Sequence, residues 1–363
     1  MRKNCVAGVS EKCSFFAMRG TLILKNMGHI MQQEFRFATF NVCNLALPGM
    51  RFYDSLAPYT PEEYESKITW IAQQLDILDA DVIGFQEIFS QAALKDVLAR
   101  TKKYQHAHHA GIDPDPQADR FTPSVALVSR LPFAGAFSTH AELPRKLSTA
   151  LPGMTDTVTR FTRPVLHARI LLSDRLPANV FVAHLKSKLP DCGSEDNGTD
   201  GSQADIAVLR SLIRRGVEAL GLRYLAADCM RNGCEPLLVM GDFNDVASSV
   251  TTQIVLGVRD RAENEFDDRL FDSYRIQSHG DPLHDPGYTH IHEGNYETID
   301  HILVSGALHP ASPSAIGEVL DVTYLNDHIA LKLPQASDHG IVLARIKIFE
   351  DATGIVQLPT RST

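Results

Sequence analysis

LLVMGDFND, residues 237–245, is the stretch on which the fold turns. Its first four residues are apolar without interruption and follow Pro236. That run is too short for a helix and has no polar alternation, so it reads as a strand buried on both faces. It then delivers Asp242 and Asn244 within three residues, with Gly241 permitting a tight turn between strand and carboxylate. Alone, such an exit could be an Asx-turn. It is not alone. TFNVCNL ends a strand-like run with Asn41, and DVIGFQE ends one with Gln86 and Glu87. VFVAHLKSK does the same with His184, TIDHILVS presents Asp300, and ASDHG presents Asp338 and His339.

Around these exits the elements alternate in kind. FRFATFNV has the period of a strand ending at Asn41. Thr60-Pro61-Glu62-Glu63 has the composition of a helix start, with Thr as N-cap, Pro in the first position and Glu in the capping-box place. Tyr64, Ile68, Ile71, Leu75 and Leu78 follow at helical spacing and predict one buried face. Residues 81–85 predict a short buried strand and 91–99 a helix capped by Ser90. Residues 124–129, 164–172 and 179–184 predict strands, with LPANV at 176–180 as the turn between the last two. The Gly-, Asp- and Asn-rich residues 189–202 predict a loop. Residues 203–230 predict a long helix, with Ile206, Leu209, Ile213, Val217, Leu220 and Tyr224 inward and Arg210, Arg214, Arg215 and Arg223 outward. Strands at 299–305 and 340–348 complete the set.

Strands outnumber helices and the order is mixed. That predicts an α/β (α+β) layered fold, with mixed sheets covered by helices, over an all-parallel sheet, because 164–184 has the pattern of a hairpin. No repeat, coiled coil or domain linker is visible. Residues 35–350 read as one catalytic domain. Residues 1–34 read as a disordered or spurious extension, with Met18, Met27 and Met31 as alternative starts, and 351–363 as a tail.

The chain has 363 residues, of which 44% are hydrophobic and 22% charged, as in globular proteins. A formal net charge of -9 argues against a tight duplex binder, but not against an enzyme that meets an anion through a local cation. No apolar run approaches the ~20 residues of a membrane span, so stable membrane insertion is not expected. TLIL at 21–24 is too short for a signal-peptide core. A cytoplasmic location is the expectation, with export left open. The six cysteines match no zinc motif; a Cys192 disulfide to Cys229 or Cys234 would require export. The acidic loop (Asp191, Glu195, Asp196, Asp200) lacks EF-hand spacing, and a solvated loop is the better reading. The same holds for His106, His108 and His109 as a zinc cluster.

Cleaving a phosphoester requires charge neutralisation on the phosphoryl oxygens, an oriented water and a stabilised leaving oxygen. Glu87 and Asn41 are oxygen donors of the kind Mg²⁺ or Mn²⁺ prefers. Asp242 is placed to hold or deprotonate water. Asn244 can orient that water or bind a phosphate oxygen. Asp300 and His339 have the form of a carboxylate fixing an imidazole tautomer. His184 is a second imidazole, and Lys186 is a candidate phosphate contact. Each element has a bland reading as a turn, cap or basic loop; their joint occurrence in this order decides against it.

That order resembles the endonuclease/exonuclease/phosphatase superfamily, over roughly residues 35–348. The resemblance implies a four-layered α/β sandwich, two mixed β-sheets face to face with helices outside, and the site at one sheet edge. It also implies Asn41 and Glu87 at the metal, Asp338 near the metal or its waters, and His184 facing the phosphate. Asp242 would handle the nucleophile with Asn244, and Asp300 would orient His339. Arg163 and Arg130 resemble the arginines that flank the cleft in relatives. One departure is Cys43, where many relatives carry a carboxylate; Asn44 could partly substitute. The expected function is a Mg²⁺- or Mn²⁺-dependent phosphodiesterase, most simply a nuclease acting on nucleic acid or another phosphodiester substrate. The alternatives are a phosphomonoesterase or a lipid or small-molecule phosphodiesterase, and, in another class, a non-catalytic binding protein on a degenerate fold.

Overall fold

The computed structural model describes residues 31–350 apart from 54–55, 116–120, 155–156, 193–200, 234, 258–265 and 281–286. One sheet contains β1 (Met31–Leu45), β2 (Val82–Ile88), β3 (His108–Gly111), β4 (Ser124–Ser129), β15 (Gly317–Leu325) and β16 (Ile341–Glu350), in the order β15-β16-β1-β2-β4-β3. The other contains β5 (Ser138–Glu142), β8 (Arg160–Ser173), β9 (Leu176–His184), β10 (Leu237–Asp242), β11 (Leu270–Asp272) and β14 (Asp300–Ser305), in the order β11-β14-β10-β9-β8-β5. Two small hairpins join β6 (Thr149–Ala150) to β7 (Thr157–Val158) and β12 (His290–His292) to β13 (Asn295–Glu297). Both large sheets are mixed: β1–β2 and β9–β10 are parallel pairs, and the remaining ladders are antiparallel.

Alternation along the strands builds the layers. Phe35 and Phe37 of β1 face the second sheet, where they share a core with Val180, Val182, Leu238 and Met240. Ala38, Phe40 and Val42 face the other way, onto α1 (Pro61–Leu78) and α2 (Gln91–Arg100). On the far side, Val239, Phe181 and Leu303 pack against α3 (Gly201–Asn232) and α4 (Val250–Leu256). Three apolar layers thus separate four layers of secondary structure. Each fully buried Leu or Phe contributes roughly 1.5–3 kcal/mol. Gly84 lets the sheets close: a Cβ there would lie 2.9 Å from Met240 Sδ.

The start of α1 is as expected. Thr60 Oγ1 accepts from Glu63 N at 3.2 Å, and Glu63 Oε2 accepts from Thr60 N at 2.9 Å. All five expected apolar positions of α1 are buried, and so is Lys67. Several expectations are corrected. LPANV is not a turn but the start of β9, because Leu176 pairs with Ser173 and the chain reverses before it. His108 and His109 lie not in a solvated loop but on edge strand β3, where His109 Nε2 meets Gln91 Oε1 at 2.8 Å. Cys192 and Cys229 are free thiols; Cys234 lies outside the described residues.

The largest correction concerns α3. Ile206, Val208, Leu209 and Leu212 are exposed, while Arg210, Ser211, Arg215 and Glu218 are buried. The inward polar face holds loops. Arg210 Nε donates to Pro152 O at 2.7 Å, and Arg215 Nε meets Asp245 Oδ2 at 2.9 Å. Glu218 accepts from Thr162 N at 2.9 Å and from Lys186 N at 2.8 Å. Buried backbone donors in irregular segments need such partners, and that need outweighs the apolar period. Asp191 belongs to the same scaffold, 2.9 Å from Arg214 Nε, while Glu195, Asp196 and Asp200 lie outside the described residues.

Candidate active site

Strand register assembles the site. In the second sheet Asp242 pairs with His184 on one side and with Asp300 on the other, so three functional residues stand in one row. In the first sheet Asn41 pairs with Gln86. The two rows meet across the interlayer, where Asn41 Nδ2 donates to Asp242 Oδ2 at 3.1 Å and lies 3.3 Å from Glu87 Oε1. The loop after α5 (Asp327–Leu331) brings in the last group: Ser337 Oγ donates to Asn41 O at 2.6 Å and accepts from His339 N at 3.0 Å. His339 Nδ1 then meets Asp300 Oδ2 at 2.8 Å, leaving Nε2 toward Asp242 Oδ2 at 3.9 Å.

The backbone is strained here. Cys43, Asn44, Glu87 and Asn244 all have positive φ, between 54° and 65°. Each such non-glycine conformation costs on the order of 1–3 kcal/mol and persists only when its surroundings fix it. The first sheet's ladders shift register at the same point, between Asn41 and Leu45 and between Phe85 and Ile88. These bulges turn Glu87 into the cleft while Gln86 stays inside, accepting from Thr39 Oγ1 at 3.1 Å. Gly241 serves a closer approach than a turn: φ is 145°, and a Cβ would lie 1.9 Å from Ala183 O.

Electrostatics separate the two imidazoles. Burial drives the His184 pKa well below its ordinary value, reinforced by Arg163 and His339. Burial works the same way on His339, but Asp300, then Asp242 and Asp338, outweigh it and raise its pKa well above the ordinary value. A neutral and a protonated imidazole therefore share one site. Burial, with Asp300 beside it, pushes Asp242 up to about 7, against the pull of His339 and the Asn244 N–H at 2.7 Å. Asp338, exposed at the mouth, is held below the ordinary carboxylate value: partial desolvation opposes this, but His339 and a hydrogen bond with Cys43 prevail. Groups driven apart in this way are suited to acid and base roles.

Residues 38–339 match the sequence pattern of the Endonuclease/Exonuclease/phosphatase family. The chain belongs to that family. Solved structures with the same fold include a family member from Bacteroides thetaiotaomicron, 17% identical, covering 88% of this chain and 96% of that one, with a TM-score of 0.53. A mannosyl-6-phosphatase of the same organism is 18% identical over 86% of this chain and 99% of that one, at 0.53. The human Nocturnin catalytic domain with bound sulfate is 16% identical over 88% and 97%, at 0.51. No curated protein matches this chain. The four-layered sandwich is the family's, and the chain is a phosphoesterase of that family.

The donor set of this family member fits a hard divalent cation. Glu87 uses Oε1 for Asn41 and Oε2 for Asn44 N at 3.0 Å, and a carboxylate has about four acceptor positions, so capacity remains. Asn41 Oδ1 accepts from Cys43 N at 3.0 Å. Among the described residues, Asp242-Asp300-His339 and His290-Asp338-His339 have ligand atoms close enough to share one ion. His184 Nδ1, Asp300 Oδ1, Arg163 Nε and Asn44 Oδ1 are buried without a hydrogen-bond partner, and such orphans mark a site built for a further species.

Asn41, Glu87, His184, Asp242, Asn244, Asp300, Asp338 and His339 are thus brought together. Arg163 is buried beside them, donating to Leu185 O at 3.3 Å and hydrogen-bonded to Tyr53. Lys186 departs from expectation: its ammonium donates to Leu189 O at 2.8 Å, Ser187 O at 3.1 Å and Ser211 Oγ at 3.3 Å, so it ties the loop to α3. Arg130 sits at the opposite end of the sheet, on Asp79 at 2.7 Å and Asp81 at 2.8 Å, because antiparallel β4 runs away from the cleft. Asn44 contributes its backbone N–H to Glu87. Sequence reasoning missed His290, whose ring is 5.0 Å from that of His339. A signal existed: Glu293 and Gly294 both have positive φ, the two-residue turn of a hairpin, in the sequence HIHEGNYE.

Proposed function

We propose that this chain is a Mg²⁺- or Mn²⁺-dependent phosphodiesterase that hydrolyses nucleic acid or another phosphodiester by in-line attack of water. The observation that carries it is the pairing of the Asp300–His339 dyad, at 2.8 Å, with a buried Asp242 that also touches Asn41. Asn41, Glu87 and Asp338 would hold the cation, which supplies charge neutralisation on the phosphoryl oxygens. Asp242 accepts the proton of the attacking water, and Asn244, fixed by Leu185 O at 3.0 Å, orients it. His339, protonated and locked by Asp300, donates from Nε2 to a phosphoryl oxygen, and the P–O bond opposite the attacking water breaks, its leaving oxygen taking a proton from solvent. Neutral His184, 3.4 Å from Asp242, keeps that carboxylate oriented, and Arg163 offers a second positive charge to the phosphate. General-base action of this kind is worth ~10²–10⁴-fold.

A diester is favoured over a small closed substrate by the rim. Exposed Tyr296 packs edge-on against Tyr288 at 4.7 Å. Exposed aromatic rings suit the bases of a nucleotide chain. A phosphomonoesterase is the second reading, favoured by the net charge of -9 and by Lys188 being paired with Glu297 at 2.9 Å. The test is a rate comparison of metal-stripped and Mg²⁺-, Mn²⁺- or Ca²⁺-loaded protein on single- and double-stranded DNA, RNA, a bis-aryl phosphodiester and an aryl phosphomonoester. Diester cleavage that needs Mg²⁺ or Mn²⁺ is expected. Full activity after chelation would sink the metal assignment, and monoester-only activity would install the second reading.

A further inference from the structure

His339 is held by its backbone as well as by its ring. The β1–β16 ladder reaches only to Thr39 and Val342, and the β15–β16 ladder only to Leu325 and Ile341. His339 lies beyond both, so neither its N–H nor its C=O has a strand partner. It is buried, and a buried backbone group left without a partner is costly. Two side chains take the place of the ladder. Ser337 Oγ accepts from His339 N at 3.0 Å, and His328 Nε2 meets His339 O at 2.8 Å. A carbonyl can only accept, so Nε2 carries the proton and donates. His328 is buried in α5, its ring edge-on to Trp70 of α1 at 5.0 Å. Burial holds its pKa below the ordinary value, so the ring stays neutral. Trp70 packs edge-on in turn against Phe40 of β1 at 6.1 Å, one residue before Asn41. Ser337 reaches the same strand, since its hydroxyl donates to Asn41 O at 2.6 Å.

We propose that His328 is a positioning residue for His339, setting through the peptide carbonyl where the imidazole stands against the phosphoryl group. The inference rests on the reading of His339 as the phosphate-binding imidazole and deepens it. Asp300 fixes the rotation of the ring through Nδ1, but that one bond leaves the main chain carrying the ring free to shift. His328 and Ser337 close this freedom from the two sides of one residue. Both are referenced to β1, the strand that carries Asn41, so the separation of His339 from that ligand is tied to one element. A displacement of about 1 Å can cost on the order of 10²-fold in rate. The link therefore bears on turnover although His328 touches no reacting atom. Its apolar neighbour Trp70 asks for no donor; the His339 carbonyl does.

The experiment compares His328→Leu, His328→Gln and His328→Asn in the full chain. Gln carries an amide N–H at nearly the reach of imidazole Nε2, Asn carries one too short for the carbonyl, and Leu carries none. The readouts are the low-field NMR resonance of the His339 Nδ1 proton, hydrogen-bonded to Asp300, and kcat and KM on a bis-aryl phosphodiester under saturating Mn²⁺. In His328→Leu and His328→Asn the resonance should broaden or vanish and kcat should fall about ten-fold or more. KM and Mn²⁺ binding by calorimetry should stay as in wild type. His328→Gln should remain near wild type in both readouts. Wild-type resonance and kcat in a folded His328→Leu would reduce His328 to a core histidine, and equal losses in His328→Gln and His328→Leu would trace the effect to shape; either result overturns the proposal. If His328→Leu fails to fold, His328→Gln against His328→Asn decides alone, and equal behaviour of those two overturns it. Wild type that cleaves no diester would refute the function proposed above, while the NMR comparison would still decide the role of His328.

Discussion

Replacing Asp300 by Asn tests the dyad with the least disturbance of shape. The side chain keeps an oxygen that can accept from His339 Nδ1, now 2.8 Å away, but loses its charge. Burial alone would drive the imidazole neutral, and Asp300 is the largest of the charges that prevent this. A hydrogen bond to a charged group is worth about 1.5–3 kcal/mol against about 1 for a neutral one, and one pKa unit is about 1.4 kcal/mol. His339 should therefore lose about 0.5–2 kcal/mol of its preference for the protonated form in Asp300→Asn and titrate lower. The alkaline limb of kcat/KM against pH should move to lower pH correspondingly, with turnover on a bis-aryl phosphodiester lost on that limb and partly recovered at acid pH. Stability should follow in sign. A raised folded-state pKa contributes stability that is fully present below the unfolded value of about 6.5 and disappears as pH rises through the folded one. The gap in melting temperature between wild type and Asp300→Asn should thus be widest in acid and narrow toward alkaline pH. His339→Ala should lose more activity and show no acid recovery, and the double variant should be little worse than His339→Ala alone. Superimposable pH profiles, or additive losses, would refute the dyad.

Lys186→Met should lower stability by roughly 1–3 kcal/mol through the lost buried hydrogen bonds and leave KM nearly unchanged; a large rise in KM without destabilisation would restore its role as a phosphate contact. Leu75→Ala, in the core under β1 and β2, should cost about 2–5 kcal/mol in chemical denaturation with kcat intact at permissive temperature, and a loss below about 1 kcal/mol would contradict the packing described. Glu87→Gln should weaken Mn²⁺ binding by calorimetry more than it lowers the melting temperature; collapse of the fold instead would make Glu87 structural.

What was legible in the sequence was local or repeated. The capping box at Thr60 and Glu63 acts within one turn, and the apolar face of α1 repeats it five times. The strand exits were legible because six of them carried the same kind of residue, and register did the rest by aligning His184, Asp242 and Asp300. What failed depended on distant partners. The inward face of α3 is polar because loops at 152, 185–191 and 245 need Arg210, Arg215 and Glu218. Arg130 follows a strand whose direction the sequence does not state. Lys67 is buried within the apolar face of α1, its ammonium 5.8 Å from the centroid of the Tyr59 ring. His290 depends on a hairpin folding back over His339.

The central claim is that Asp242 manages the nucleophile, and Asp242→Asn addresses it directly. The substitution preserves volume and, through its one remaining oxygen, the hydrogen bond accepted from Asn244 N, while removing the base and the hydrogen bond accepted from Asn41 Nδ2. Turnover of a bis-aryl phosphodiester under saturating Mn²⁺ should fall by ~10²–10⁴-fold with KM close to wild type and the protein still folded, because the loss of rate falls on the transition state. Wild-type turnover in a folded, metal-loaded Asp242→Asn would contradict the account.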